Sequence, residues 1–297
     1  MSVWRASRPL LACLACCAAG AWPGPSATGQ PIFAREDSLP VYVVPETTRV
    51  VAARVGLAEI IRKAQEGERR KFDGISTLAF NRTLKLTLSY AGRKPEKRCL
   101  ETSARVYYRS PDRWTEAPLR ESRYIVEPDG TRKPWTDEDD DGVRIGVDDG
   151  DETGLWLENL PAFLEDTEKF SFRILHRSLQ RDQVLYEIGF KPRSEFDLLP
   201  AGRVWILTGR YQIVREEYEM ENLPVPWLLK SVDLLTREWQ EVDGRWLPRR
   251  VTARVELHTR VGLGLVRIPN AAEVVVLFDE YRLDPELDPA LFESGGK

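Results

Sequence analysis

The chain has 297 residues, of which 42% are hydrophobic and 30% charged, as is typical of a soluble globular protein with a sizeable core. Its formal net charge of −4 shows none of the basic excess that marks nucleic-acid-binding proteins. Only two histidines occur, His176 and His258, far apart and outside any ligand motif. A histidine-based zinc site or a histidine-activated nucleophile is therefore disfavoured.

Residues 1–29 have the composition of a secretory signal peptide. Arg5 and Arg8 precede an apolar run over 10–21, no acidic residue occurs, and Ala27-Thr28-Gly29 offers a small-x-small cleavage site. Cleavage after Ala18-Ala19-Gly20 is the alternative. The apolar run is too short to span a bilayer comfortably. The sequence thus predicts a periplasmic or secreted protein whose contact with a membrane is peripheral at most.

Three of the four cysteines lie in this segment. Leu14-Ala15-Cys16-Cys17 loosely resembles a bacterial lipobox, which would make Cys17 a lipidated N-terminus, but Cys16 occupies a position where Gly, Ala or Ser is usual. Alternatively, these cysteines serve as small apolar residues. The remaining Cys99 is expected to be buried and unreactive.

Residues 30–48 contain prolines and no clear period, and we expect them to form an extended arm. A helix is predicted at 49–71, with Thr47 or Thr48 as its N-cap, because apolar residues recur there every three or four positions. Alternation of apolar and polar residues then predicts β-strands. The strand-like runs before the middle of the chain are 75–90, 100–110 and, less regularly, 114–126.

The tract 136–154 carries nine carboxylates. Asp137, Asp139 and Asp141 match the start of an EF-hand calcium loop, but Asp148 replaces its final Glu and Arg144 its apolar residue. Calcium binding therefore stays an alternative to a solvated loop that like charges keep open. We expect no cofactor and no resident metal.

Residues 155–164 are strongly apolar and predict a short helix over the sheet, either a movable lid or a permanent part of the core. More strands follow, with Asp243-Gly244 as a hairpin turn and with Pro224 and Pro226 interrupting the series. Ile213 and Val214 break the alternation of their run. The later strand-like runs are 169–176, 183–191, four runs within 201–257, and 271–283.

Three short motifs stand out within this order of elements. They are Leu160-Pro161-Ala162-Phe163 ahead of the strand with Phe170 and Phe172, Gly202-Arg203-Val204-Trp205-Ile206 followed by Tyr211-Gln212-Ile213-Val214-Arg215-Glu216-Glu217, and Val242-Asp243-Gly244-Arg245-Trp246-Leu247-Pro248. In these motifs, and in the order of elements over 49–283, the chain resembles the LolA-like periplasmic lipoprotein-carrier superfamily of the bacterial envelope. Leu207 departs from the pattern, because Asp is common there.

The resemblance implies an α+β fold that is mainly antiparallel β: a strongly curved, incomplete β-barrel with an N-terminal helix and a short second helix over its open face. It places a single domain at 49–284, followed by a polar tail at 285–297. The residues favour the same curvature, because one helix and one short helix are too few to cover a flat sheet of about nine strands.

The resemblance further implies a non-enzymatic envelope protein that binds a lipid or a lipoprotein acyl chain in an apolar cavity. The alternatives are an ordinary filled core, or an interaction module for another envelope protein that uses the excursion at 222–227. Adjacent Glu216 and Glu217 point to opposite faces of a strand and form no acid pair, so the sequence offers no catalytic group. The expected ligand-lining residues are Phe172, Ile174, Val184, Tyr186, Ile188, Val204, Ile206, Val251, Ala253 and Val255.

Overall fold

The computed structural model describes residues 55–91, 95–111, 113–136, 161–180, 182–194, 199–220, 229–258 and 269–292. The predicted signal segment with Cys17, the extended arm, the excursion at 222–227 and the acidic tract beyond residue 136 lie outside these ranges. The calcium-type positions Asp137, Asp139 and Asp141 do so as well. The signal peptide, the domain boundaries and the calcium alternative therefore stay predictions.

Two α-helices occur in the described residues, α1 at Leu57–Arg69 and α2 at Ala162–Glu165. The helix predicted at 49–71 begins at Leu57 in the described residues, because Val55 and Gly56 are not helical and Gly56 is the extended N-cap. Residues 49–54 lie outside the described ranges. Glycine and β-branched valine are poor helix formers, which accounts for the later start. No helix in the described ranges is both long enough and apolar enough to cross a membrane.

Eleven β-strands fill most of the remaining described chain, and the irregular run after residue 113 is a full strand of 14 residues. They are β1 (Thr77–Tyr90), β2 (Glu96–Arg109), β3 (Arg113–Val126), β4 (Arg132–Pro134), β5 (Phe170–Gln180), β6 (Gln183–Pro192), β7 (Ala201–Leu207), β8 (Gln212–Glu219), β9 (Leu229–Val242), β10 (Arg245–Leu257) and β11 (Ala271–Leu283).

All eleven strands belong to one antiparallel sheet in the order β4-β3-β2-β1-β11-β10-β9-β8-β7-β6-β5. Every neighbour in this order is also a neighbour along the chain except β1 and β11, which join the first strands to the last. The sheet is curved and unclosed, because β4 and β5 do not pair with each other. The predicted fold class is therefore confirmed.

Local irregularities bend this sheet where the sequence pattern is irregular. Asp243 and Gly244 take φ values of 50° and 75° between the paired residues Val242 and Arg245, which confirms the predicted two-residue hairpin. In β8 the register with β7 shifts between Trp205 and Ile206, so one extra residue is accommodated. This β-bulge explains why Ile213 and Val214 are both buried although they are adjacent.

The apolar core contains two large clusters. We call the first the helix-covered cluster, because it includes residues of α1 and α2; we call the second the seam cluster, because it lies where β1 meets β11. The helix-covered cluster is Ile60, Ile61, Ala64, Phe163, Leu164, Phe170, Ile188, Phe190, Val204, Ile206, Ile213, Tyr218 and Trp239. The seam cluster is Ile75, Leu78, Phe80, Val106, Tyr108, Leu247, Val251, Val276 and Phe278.

Candidate functional site

One face of the sheet supports α1 and α2, and we call it the helix-facing surface. A row of directly paired residues crosses this face, and such pairs share a face in antiparallel strands. From β5 to β2 the row is Ile174, Ile188, Val204, Glu216, Arg237, Val251, Val276, Leu84 and Thr102. The row is apolar on both sides of a charged centre.

All ten residues predicted to line a ligand site lie on the helix-facing surface, by pairing with this row or by strand alternation from it. Val184 is half-buried on β6, and Ala253 and Val255 are buried on β10. Val251 belongs to the seam cluster. The six that come together in or against the helix-covered cluster are Phe172, Ile174, Tyr186, Ile188, Val204 and Ile206.

The two helices close the helix-covered cluster from above. Ile60, Ile61 and Ala64 of α1 are at most 5% exposed, and Phe163 and Leu164 of α2 are fully buried. The described end of the predicted apolar segment thus packs into the core. A single side-chain hydrogen bond links the two helices, from Gln65 Nε2 to the Leu164 carbonyl oxygen at 2.6 Å. The layer above the sheet is therefore small, with helices of 13 and 4 residues over a sheet of eleven strands.

The charged centre of the row is a buried carboxyl group. Glu216 is fully buried, accepts a hydrogen bond of 2.7 Å from the Tyr218 hydroxyl, and lies 3.8 Å from Arg237 Nη1. Burial raises the pKa of Glu216 to about 7, although Arg237 and the Tyr218 hydrogen bond favour its ionised form. Glu216 can therefore hold a proton near neutral pH.

Further polar groups surround Glu216 at the carboxyl end of α1. Glu68 and Lys71 pair at 3.0 Å, and the Lys71 ammonium lies 4.8 Å from the centre of the Trp239 ring. Among the described residues, three buried atoms of this group have no hydrogen-bond partner: Glu216 Oε1, Arg237 Nε and Trp239 Nε1. The centre is thus an under-satisfied polar patch between apolar clusters.

Sequence reasoning missed this patch. Glu216 and Tyr218 lie on the same face of β8. Because of the bulge in β8, simple alternation from the buried Ile213 places Glu216 on the other, exposed face. The prediction that Glu216 and Glu217 point to opposite faces is confirmed, because Glu217 pairs with Arg215, whose guanidinium lies 5.4 Å from the centre of the Trp205 ring. Pairing across to Arg237 on β9 is a long-range feature that no local pattern reveals.

A cleft of about 640 Å³ opens beside this patch, at the rim of the sheet. Three elements line it: the second half of α1 and the residues after it, the β7–β8 turn, and the β9–β10 turn. The lining residues are Lys63, Glu66, Gly67, Glu68, Arg70, Lys71, Arg210, Tyr211, Gln212, Asp243, Gly244, Arg245 and Trp246.

In the described part of the chain, no group of three or more His, Cys, Asp or Glu side chains is arranged to hold a metal ion. Cys99 is a free, buried thiol, in agreement with the burial expected for it. The arrangement therefore offers an apolar surface under helices, a buried titratable centre and a polar rim cleft.

No protein-family model matches the sequence, and no curated protein matches it. A solved domain described as an outer membrane lipoprotein-sorting protein, from Vibrio parahaemolyticus, is similar with TM-score 0.32 and 14% identity, covering 78% of this chain and 95% of that one.

Two further solved structures are similar at the same level. A DUF1329 family protein from Desulfovibrio piger gives TM-score 0.33 and 13% identity, covering 79% of this chain and 97% of that one. A LolA superfamily protein from Nitrosomonas europaea gives TM-score 0.30 and 11% identity, covering 80% and 97%.

Proposed function

We propose that this protein is an exported, non-enzymatic envelope protein that binds a hydrophobic ligand, a lipid or a lipoprotein acyl chain, between α1 and the helix-facing surface of β5–β8. The observation that carries the proposal is the helix-covered cluster. Six of the ten predicted lining residues meet there, beneath a helix that is joined to the sheet by side-chain packing and not by strand pairing.

The free energy that holds α1 on the sheet is comparable with the free energy that an acyl chain would gain on the same surface. Burial of an isoleucine side chain contributes about 1.5–3 kcal/mol, so Ile60, Ile61 and Ala64 together hold α1 with about 4–7 kcal/mol. An acyl segment of about ten methylenes would gain about 8 kcal/mol on the same surface, at about 0.8 kcal/mol for each CH₂. An acyl chain can therefore take the place of these α1 side chains on the sheet, with α1 lifted above it and without any change in strand pairing.

The periplasm or the extracellular space is the proposed compartment, on the strength of the predicted signal segment. Absence of catalysis is part of the proposal and rests on the apolar character of the surface under α1. Glu216 is the buried titratable group of this surface, and its neighbours Val204 and Arg237 leave it without a second carboxylate in the paired row. An acid pair for hydrolysis is thus missing from that row.

Binding of a fluorescent fatty acid such as cis-parinaric acid to delipidated protein tests the proposal. Ile174 is half-buried against the helix-covered cluster, whereas the adjacent Leu175 is 46% exposed and packs over Gly189 on the opposite face. Ile174→Ser should weaken binding about five- to tenfold through lost apolar contact, and Leu175→Ser should leave it unchanged.

Mass spectrometry of the purified protein supplies an independent readout, since a carrier should retain lipid from the cell. A protein that carries no lipid and binds no fatty acid contradicts the proposal. That result would favour the alternative of an interaction module with a filled core. Equal effects of the Ile174→Ser and Leu175→Ser variants would place the ligand elsewhere on the molecule.

A further inference from the structure

We propose that the rim cleft binds a phosphate group, so that the preferred ligand is a phosphate-bearing amphiphile whose acyl chain lies under α1. The inference rests on the proposed function for the acyl chain, but the cleft is a separate set of residues. Three features of the cleft favour a phosphate: its charge balance, the guanidinium groups fixed on its walls, and its position next to the helix-covered cluster.

The cleft is basic although the protein is acidic. Its described lining has five cationic side chains and three carboxylates, whereas the whole chain has a net charge of −4. The carboxyl end of α1 adds about half a negative charge, which leaves the cleft positive. Two of the cations are neutralised locally, because Lys63 pairs with Glu59 and Lys71 with Glu68, each at 3.0 Å.

The other three cations, Arg70, Arg210 and Arg245, form no ion pair with a carboxylate of any described residue. An arginine guanidinium has five N–H donors in a planar fork that matches two oxygens of a phosphate group. These three guanidiniums are therefore suited to a phosphate, since none of them is ion-paired to a described carboxylate.

Main-chain carbonyls hold two of these guanidiniums in place. Arg210 Nη1 donates to the Gly244 carbonyl at 2.7 Å, and Arg245 Nη1 donates to the Asp73 carbonyl at 2.8 Å. Each contact uses one of five donors and no negative charge. Because the side chains are ordered before an anion arrives, binding costs less conformational entropy than it would with free arginines.

Helix α1 is a wall of both sites. Lys63, Glu66 and Gly67 line the cleft, while Ile60 and Ala64 of the same helix face the helix-covered cluster. A Cβ atom at Gly67 would lie 3.4 Å from the Tyr211 carbonyl oxygen, so the helix approaches the β7–β8 turn closely at this point. A ligand with its phosphate in the cleft can thus place its acyl chain under α1.

A matched pair of ligands tests the proposal on the full-length protein. Oleoyl lysophosphatidic acid and mono-oleoylglycerol share one acyl chain and differ in the phosphate. We expect the phosphate-bearing lipid to bind about tenfold more tightly at low salt, with the preference falling as salt screens the cleft. Inorganic phosphate at millimolar concentration should weaken binding of the lysophosphatidic acid and not of mono-oleoylglycerol.

Charge-removing variants connect the preference to the cleft. The double variant Arg210→Gln/Arg245→Gln should abolish the preference without changing the affinity for mono-oleoylglycerol. The matched control Arg249→Gln/Arg250→Gln, on exposed positions of β10, should retain it. If the first double variant does not fold, Arg70→Gln at the exposed end of α1 should reduce the preference about threefold.

The outcomes separate the two proposals. Equal affinity of the native protein for both lipids overturns the phosphate site and leaves the acyl site intact. Binding of neither lipid overturns the proposed function itself. Inorganic phosphate that binds as tightly as lysophosphatidic acid shows a site for the free ion, and so overturns the assignment of the cleft to a lipid headgroup.

Discussion

The helix-covered cluster and the seam cluster are built from similar aromatic and aliphatic side chains, but they are closed in different ways. In the seam cluster, strands supply most of the side chains, and the ring centroids of Phe80 and Tyr281 lie 5.1 Å apart across the β1–β11 junction. In the helix-covered cluster, α1 and α2 supply the upper layer. The first can open only if strands separate, whereas the second can open if a helix moves.

A bulge in β11 shows how closely the seam is fitted. Glu280 has φ 50°, and the extra residue at this point lets both Phe278 and Tyr281 contact Phe80. The Tyr281 hydroxyl then donates to the Pro248 carbonyl at 2.7 Å. Under the proposed function, we therefore expect the seam cluster to set the stability of the fold and the helices to control ligand access.

Phe80→Ala should have the largest effect on stability, because Phe80 is fully buried and touches three aromatic rings. Loss of this side chain should lower the free energy of unfolding by about 3–5 kcal/mol in urea denaturation. Fatty-acid affinity, measured where the variant is still folded, should not change. Leu119→Ala, at a position 59% exposed, is the control and should cost less than about 0.5 kcal/mol. Weakened fatty-acid binding in Phe80→Ala would contradict the expectation that the seam cluster affects stability and not ligand binding.

Glu216→Gln should give the next largest effect, and the effect should depend on pH. Because burial raises the folded-state pKa of Glu216 from 4.5 to about 7, the folded protein holds this proton longer than the unfolded chain. Native stability should therefore fall between about pH 4.5 and pH 7 and stay low above, a loss of up to about 3 kcal/mol. Gln cannot ionise, so the variant should lose this dependence.

Urea unfolding of both proteins at pH 5 and pH 8.5 measures the difference. The variant should gain stability relative to the native protein on going to the higher pH. An unchanged difference between the two proteins at the two pH values would show that Glu216 is ionised in the native state throughout, held by Arg237 and not controlled by burial.

Gly202→Ala probes the helix-covered cluster from within the sheet. A Cβ atom at Gly202 would lie 1.9 Å from the Glu217 carbonyl oxygen and 2.9 Å from the Phe190 ring, so strands β7 and β8 must shift. We expect a loss of about 1–3 kcal/mol, together with weaker fatty-acid binding. Gly56→Ala, where no atom lies within 4 Å, meets no clash and should cost less, about 0.5–1 kcal/mol from the weaker N-cap of α1.

Gln65→Ala should have the smallest effect on stability and a selective effect on access. Removal of its hydrogen bond to the Leu164 carbonyl should cost about 1 kcal/mol and should speed fatty-acid uptake in stopped-flow fluorescence. Arg62→Ala removes an exposed ion pair with Glu66 on the outer side of α1 and should leave uptake unchanged. Equal uptake rates in the two variants would argue against motion of α1 as the access step.

Local patterns were sufficient to predict most strands and the Asp243-Gly244 turn, because alternation and φ > 0 turns depend on neighbouring residues. They missed the three-residue strand β4 and the later start of α1 at Leu57. The pairing of β1 with β11 could not be predicted, since it joins the two ends of the domain across most of the chain. The same limit applies to the candidate site: the apolar lining followed from alternation, whereas Glu216–Arg237 and the rim cleft depend on which strands and turns become neighbours.

Photo-crosslinking with a diazirine-bearing palmitate analogue, followed by mass spectrometry of the labelled peptides, tests the central claim most directly. We expect labels on the inner side of α1 and on the helix-facing surface of β5–β8, at residues such as Ile60, Ile174 and Ile206. Labels on Phe80 and Val276 of the seam cluster, or on the exposed Leu277 of the opposite face, would contradict it.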